Sequence, residues 1–406
     1  MDRCPTEIIE QILRLACSDD GTTGRSLSLV SHYISQLSYP FHWHSLSLSG
    51  LAQTSSFASI LQTQPPSQPP RPILHLFLSD LPASEAHDRW NRAQEGITIE
   101  DLYQKEESER KSWLVAQSAV LAYAAPTLQT FAFLSFDPRN SALRVAELLK
   151  SSFPLLTELT IRVPPLQPLY ASPPIDLLNT AATSLATYDK RHLLPKLSHL
   201  HVVCDFRDFT APRSRLRAIS SHVTHLRLSG ILKAPLAQKL HSELSERGIV
   251  PSVVYSPTSF TYTADRVTWD PLLPPSIQHL VMQPASPDYC KIWGFEDGEA
   301  VIHMLQALAD EADNERFLVL SPRGKKSYGY TEAKEDWESR ISGGGGCWEK
   351  REEEEEVQGE DDPEVEGEAS GSEGWGGAPS PRTRARFLPT LFTNAIHTLD
   401  NFFTHR

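Results

Sequence analysis

A chain of 406 residues with 40% hydrophobic content has room for two or three domains of roughly 100–200 residues and can supply a packed core. Its 38 Lys and Arg against 51 Asp and Glu give a net charge of −13, which argues against nucleic acid, because duplex binding relies on cations that neutralise phosphates. Five scattered cysteines without a Cys-x-x-Cys pair remove the common zinc and redox spacings, and no run approaches the ~20 apolar residues that span a bilayer.

The amino terminus is charged throughout and has no apolar stretch of signal-peptide length. The expectation is therefore a protein of the cytoplasm or nucleus, with no membrane partner and no cofactor. The acid is unevenly spread. Between Glu349 and Glu373, thirteen carboxylates face two cations and carry a net charge of −11, leaving the rest close to neutral.

The first element predicted is a helix over 5–16. Pro5 suits a helix start, since its missing N–H would be unpaired there, and Glu7 favours the positive end of the dipole. Ile8, Ile9, Ile12, Leu13 and Ala16 make one apolar stripe. A polar loop over 18–24 breaks it. A second helix is expected at about 25–37, carrying Leu27, Val30, Tyr33, Ile34 and Leu37 and stopped by Pro40. Phe41, Trp43, Leu46 and Leu48 follow in a strand-like run. On periodicity alone, the stripe either packs on the rest of this chain or is kept for another protein.

Three segments, Cys-Pro-Thr-Glu-Ile-Ile-Glu-Gln-Ile-Leu (4–13), Ser-Leu-Ser-Leu-Val-Ser-His-Tyr-Ile (26–34) and Phe-His-Trp-His-Ser-Leu (41–46), together resemble an F-box. The usual pattern is Leu-Pro-x-Glu-Ile-Ile, then Leu-x-x-Val-Ser on a second helix, then an aromatic close. The form is similar to the F-box-like proteins of mushroom-forming fungi, with Cys4 where the family usually has Leu. The resemblance covers about a ninth of the chain. It implies that Pro5, Ile8, Ile9, Ile12, Leu13, Leu27 and Val30, with Trp43 near the rim, face a Skp-type adaptor and through it a cullin. It also implies a non-catalytic substrate receptor of a ubiquitin ligase, with an unknown protein substrate. The alternative is a protein-interaction scaffold outside any ligase.

Behind this segment an apolar-x-x-apolar-x-apolar pattern recurs seven times, at Trp43/Leu46/Leu48, Ile73/Leu76/Leu78, Leu128/Phe131/Phe133, Leu156/Leu159/Ile161, Leu197/Leu200/Val202, Val223/Leu226/Leu228 and Ile277/Leu280/Met282. Most steps are 26–30 or 41 residues; two of 54–55 fit two repeats with one unrecognised. Amphipathic stretches lie between, on Trp113–Ala124, Leu143–Leu149, Leu236–Leu244 and Val301–Ala309. The predicted fold is α/β: a helical F-box over 1–48, then an irregular leucine-rich-repeat-like solenoid over 49–345. The ninth repeat position lacks the usual Asn or Cys, so a non-repeat α/β domain stays open as well.

In the repeat reading, alternate strand residues point to solvent on a concave sheet. His75, Phe77, His199, His201, His225, Arg227 and His279 are the substrate-facing candidates, with exposed Trp269 beside them. His199, His201 and Cys204 are conceivable metal ligands, but a polar recognition face is the better expectation. Phe317–Leu320 is the expected last strand, and Gly343–Gly346 marks the end of the body. Residues 346–385 are an acidic linker expected to be disordered, since they hold too little apolar surface to offset chain entropy. Residues 386–406 regain apolar periodicity, either to dock back or to bind a partner. No phosphate-binding loop, nucleophile elbow or His-Glu-x-x-His helix occurs, and nothing local marks a cysteine as activated. The chain is not expected to be an enzyme.

Overall fold

Eight parallel strands form one sheet in which spatial order follows chain order: β1 (Ser45–Ser49), β2 (His75–Ser79), β3 (Thr130–Leu134), β4 (Glu158–Arg162), β5 (His199–Phe206), β6 (His225–Ile231), β7 (His279–Pro284) and β8 (Phe317–Val319). The computed structural model describes residues 5–65, 71–82, 84–85, 99–137, 140–163, 194–206, 222–232, 234–248, 273–292, 298–312, 316–322 and 328–349. These all belong to one unit, Met1–Glu354. Trp269, the acidic stretch and residues 386–406 lie outside the described residues, as does the side chain of Cys204.

All seven segments marked by the recurring pattern become strands. The strands stay in register, so that Ser45, His75, Thr130, Glu158, His199, His225 and His279 form one continuous row. The two long intervals do not hide a repeat: β2 pairs directly with β3, and β6 with β7. The corners before β4, β5 and β6 are each fixed by a hydroxyl. Thr157 Oγ1 donates to Gln129 O (3.1 Å), Ser198 Oγ to Thr157 O (3.2 Å) and Thr224 Oγ1 to Ser198 O (3.2 Å). This ladder satisfies backbone carbonyls where the chain turns.

Alternation along each strand separates two faces. Leu76, Leu78, Phe131, Phe133, Leu159, Leu200, Leu226, Leu228, Leu280 and Met282 point into a single apolar core. It is closed by the helices α4 (Gly50–Thr63), α5 (Ile99–Ala124), α6 (Ser141–Leu148), α7 (Ala234–Glu246) and, beyond α8 (Pro287–Ile292), α9 (Gly298–Ala312). At the sheet's edge of this core, buried Arg144 pairs with Asp80 and, at 3.3 Å, with Asp137. Asp80 also accepts from the Phe136 amide (2.9 Å) and Ser135 Oγ (2.8 Å), so the acid is saturated.

The amino-terminal region holds α1 (Thr6–Ala16), α2 (Thr22–Leu27) and α3 (His32–Ser38). Pro5 serves as the N-cap of α1, and its carbonyl accepts from the Ile8 and Ile9 amides. The polar loop is held by Asp19, which accepts from the amides of Gly21 (2.9 Å) and Thr23 (2.8 Å). Gly21 sits at φ +91°, and a Cβ there would lie 3.0 Å from Ser45 O, so the turn requires glycine. The single helix expected at 25–37 is two helices. Ser31 is extended and its Oγ accepts from the Ile34 amide at 3.2 Å, which restarts the helix after a turn through Leu29 and Val30.

The body does not end at the glycine run. After β8 the chain forms α10 (Tyr330–Ile341), turns through Gly343 (φ +94°) and Gly346 (φ +59°), and closes with a 3₁₀ turn, Gly346–Trp348. A Cβ at Gly346 would meet Asp336 O at 2.7 Å, so these glycines fold the segment back on itself. The segment 328–349 lies over the face of the sheet opposite the main core. There Phe77, Ala132, Leu134 and Val203 pack with Tyr328, Ala333 and Trp337. The expected disordered linker therefore cannot begin at 346, since Cys347 is buried.

Candidate protein interfaces

Two surfaces hold the residues singled out from the sequence. The first is on the amino-terminal helices. Ile9, Leu13, Cys17 and Phe41 form a small buried cluster with Leu27 and Leu37 against it. Trp43 is half-buried: its ring meets Phe57 at 5.2 Å and Tyr123 at 5.9 Å, and the Arg71 guanidinium lies 4.2 Å from its centre. Ile9, Leu13, Leu27 and Trp43, expected at an adaptor, are thus wholly or largely engaged within this chain.

Pro5, Ile8, Ile12 and Val30 are exposed. So are Leu15, Leu29 and Tyr33, which the candidate set omitted, and the six large apolar residues from Ile8 to Tyr33 are 44–80% exposed. Leu15 follows Ile8 and Ile12 at spacings of seven and three, so it was legible as part of an outward stripe. Of the ten large apolar side chains exposed among the described residues, six lie in this short region. Such concentration marks a protein-binding surface more often than chance exposure does.

The second surface is the polar face of the sheet, and here the expected exposure is corrected. Phe77, His201 and Arg227 are fully buried beneath residues 328–349, while His75, His199, His225 and His279 are only partly accessible. Alternation identified the face; it could not say that a later segment covers it. Phe77 meets the rings of Tyr330 (5.3 Å) and Trp337 (5.7 Å). Arg227 donates to Cys347 O through Nη1, to Gln283 Oε1 (2.9 Å) through Nη2 and to Ser229 Oγ (3.2 Å) through Nε. Arg162 Nε donates to Tyr328 O at 3.1 Å, and Tyr328 Oη to Asp336 at 2.7 Å. Glu158 takes Arg340 (2.6 Å) on one oxygen and Trp348 Nε1 (2.9 Å) on the other.

At the rim of this face the imidazoles of His199, His225 and His279 stack, with centroids 4.2 and 4.4 Å apart. The Nδ1 atoms of His199 and His225 bond to Ser198 Oγ and Thr224 Oγ1, both at 2.9 Å. Burial, with Arg340 and His279 nearby, holds His199 down at about 4. Burial and its two stacked neighbours do the same to His225, also about 4. Both rings are therefore neutral near pH 7. Parallel rings aim their nitrogens side by side rather than at one point, a poor arrangement for chelation. No group of three or more metal-ligating side chains is placed to hold an ion among the described residues.

Thiol chemistry finds no support at the described cysteines that titrate abnormally. Burial, with Asp19 beside it, pushes Cys17 up to about 11, and burial pushes Cys347 to about 12, opposite to the shift a nucleophile needs. No helix among the described residues is long and apolar enough to cross a membrane. No protein-family model matches the chain, and a search of curated proteins finds no significant relative.

Proposed function

We propose that this chain is an F-box-type substrate receptor of a cullin-RING ubiquitin ligase, docking a Skp-type adaptor through its amino-terminal helices. The observation that carries the reading is the uncovered apolar set Ile8, Ile12, Leu15, Leu29, Val30 and Tyr33, on the segments that resemble the F-box. Burying such side chains against a partner releases roughly 25 cal/mol per Å² of apolar surface. Nothing within the described fold covers them. The remainder, with strands succeeding one another in spatial order, acts as an irregular repeat-like body that holds a target. Ubiquitin transfer belongs to other subunits; the receptor contributes by raising the local concentration of its target.

The test is reconstitution of the full chain with a Skp-type adaptor, followed by addition of cullin. A ternary complex is expected. Adaptor binding without cullin would place the chain outside a ligase as an interaction scaffold, and failure of the folded chain to bind adaptor would reject the reading.

A further inference from the structure

We propose that the polar face of the sheet is a peptide-binding surface which residues 328–349 occupy in cis. The target of the receptor would then present a segment of like chemistry: an aromatic residue, a short helix carrying a buried tryptophan, then a turn. This deepens the proposed function by naming a target class, and rests on it for the word target.

The two sheet faces differ in kind. One is a continuous apolar core, whereas the other sets Glu158, Thr160, Arg162, His201, Arg227 and Gln283 beside the apolar Phe77, Ala132, Leu134 and Val203, a mixed surface suited to a peptide. Residues 328–349 cover it partly through main-chain contacts that another segment could reproduce and partly through aromatic and charged side chains. Arg227 and Arg162 receive backbone carbonyls, those of Cys347 and Tyr328, rather than side chains specific to this segment. Phe77 receives a tryptophan and a tyrosine, and Glu158 an indole N–H and a guanidinium.

The fit is loose. A small cavity remains between segment and sheet, bounded by Thr130, Glu158, Thr160, Tyr328, Asp336 and Trp337. Trp337 Nε1 is buried beside it without a hydrogen-bond partner, which costs free energy a better-fitting occupant would recover. At the other end, Tyr330 Oη bonds to Ser49 Oγ (2.7 Å), and Lys334 pairs with Asp20 (3.3 Å) in the amino-terminal loop. Displacing the segment would therefore free the target surface and also release a tether to the helices proposed to dock the adaptor.

The experiment uses the full chain and a labelled peptide of residues 328–349, with binding read by fluorescence anisotropy. Asp336→Ala with Trp337→Ala weakens the cis segment and leaves the sheet untouched. The peptide is expected to bind this variant at least about tenfold more tightly than the unaltered chain, and Arg227→Ala added to it should reverse the gain. A folded variant that takes the peptide no better overturns the proposal. If the variant does not fold, hydrogen exchange on the unaltered chain decides. Amides of α10 should exchange at least about tenfold faster than those of β4 to β6; equal rates would make the segment a fixed part of the core and overturn it. Adaptor capture is measured on the same samples. Lost peptide binding with intact capture fails only this proposal, and the reverse fails only the adaptor reading.

Discussion

The sheet and the amino-terminal helices treat apolar side chains differently. In the sheet, the leucines and phenylalanines of the core-facing rows lie under helices, and even the opposite, polar face is covered by residues 328–349. In the helices over 6–38, only a small cluster around Ile9 and Leu13 is closed, and six large apolar residues stay in solvent. A closed core serves stability. An uncovered apolar set costs solubility, and the proposed adaptor would account for its retention.

The largest effect should come from within the sheet. Phe133→Ala removes a fully buried ring and should destabilise the fold by about 3–5 kcal/mol in urea titration. A loss under about 1 kcal/mol would mean that the core is not the rigid half of the comparison. Arg227→Met comes next, because it leaves Cys347 O and Gln283 without their donor; about 1–3 kcal/mol is expected by the same titration.

Acid should act on the histidines of the sheet's first row and on His44 just before it. Burial holds His44, with Arg14 nearby, and His75, with His44 nearby, at about 4, as it does His199 and His225. Their folded values lie below the ordinary 6.5, so the unfolded chain binds more protons between those limits. The stability they contribute is therefore full above about pH 6.5 and lost as pH falls toward 4. Thermal melts across that window should show the decline, and His225→Gln should flatten it; an unchanged slope would separate the histidine row from stability. The smallest effect is expected at the helices: Leu15→Ala should shift stability by no more than about 0.5 kcal/mol. A core-sized loss there would mean that the exposed stripe is covered after all.

Much of this was readable beforehand. Seven strands announced themselves because two or three apolar residues must recur on one face at fixed spacing. Helical periodicity marked Ile8, Ile9, Ile12 and Leu13 as one stripe on α1 but did not separate the inward Ile9 and Leu13 from the outward Ile8 and Ile12, nor include Leu15. The break between α2 and α3 escaped notice because Leu27, Val30 and Ile34 keep a helical spacing across it, while the cap is a single serine. The 54–55-residue intervals misled because length alone does not separate an insertion from a missing repeat. Residues 328–349 were missed for a related reason: α10 is rich in charge, and the glycines that follow it, Gly343 to Gly346, look like a terminus when they are a turn. Covering a face is a long-range event, and alternation along a strand carries no record of it.

The central claim is tested most directly by titrating a Skp-type adaptor into the full chain carrying Ile12→Asp or Val30→Asp, with a thermal melt of each variant alongside. Both side chains are exposed, so folding should be unaffected, while a carboxylate forced into a docked apolar surface should weaken binding at least about tenfold. Unchanged affinity in folded variants, or no affinity in the unaltered chain, would contradict the account and leave these helices without the partner assigned to them.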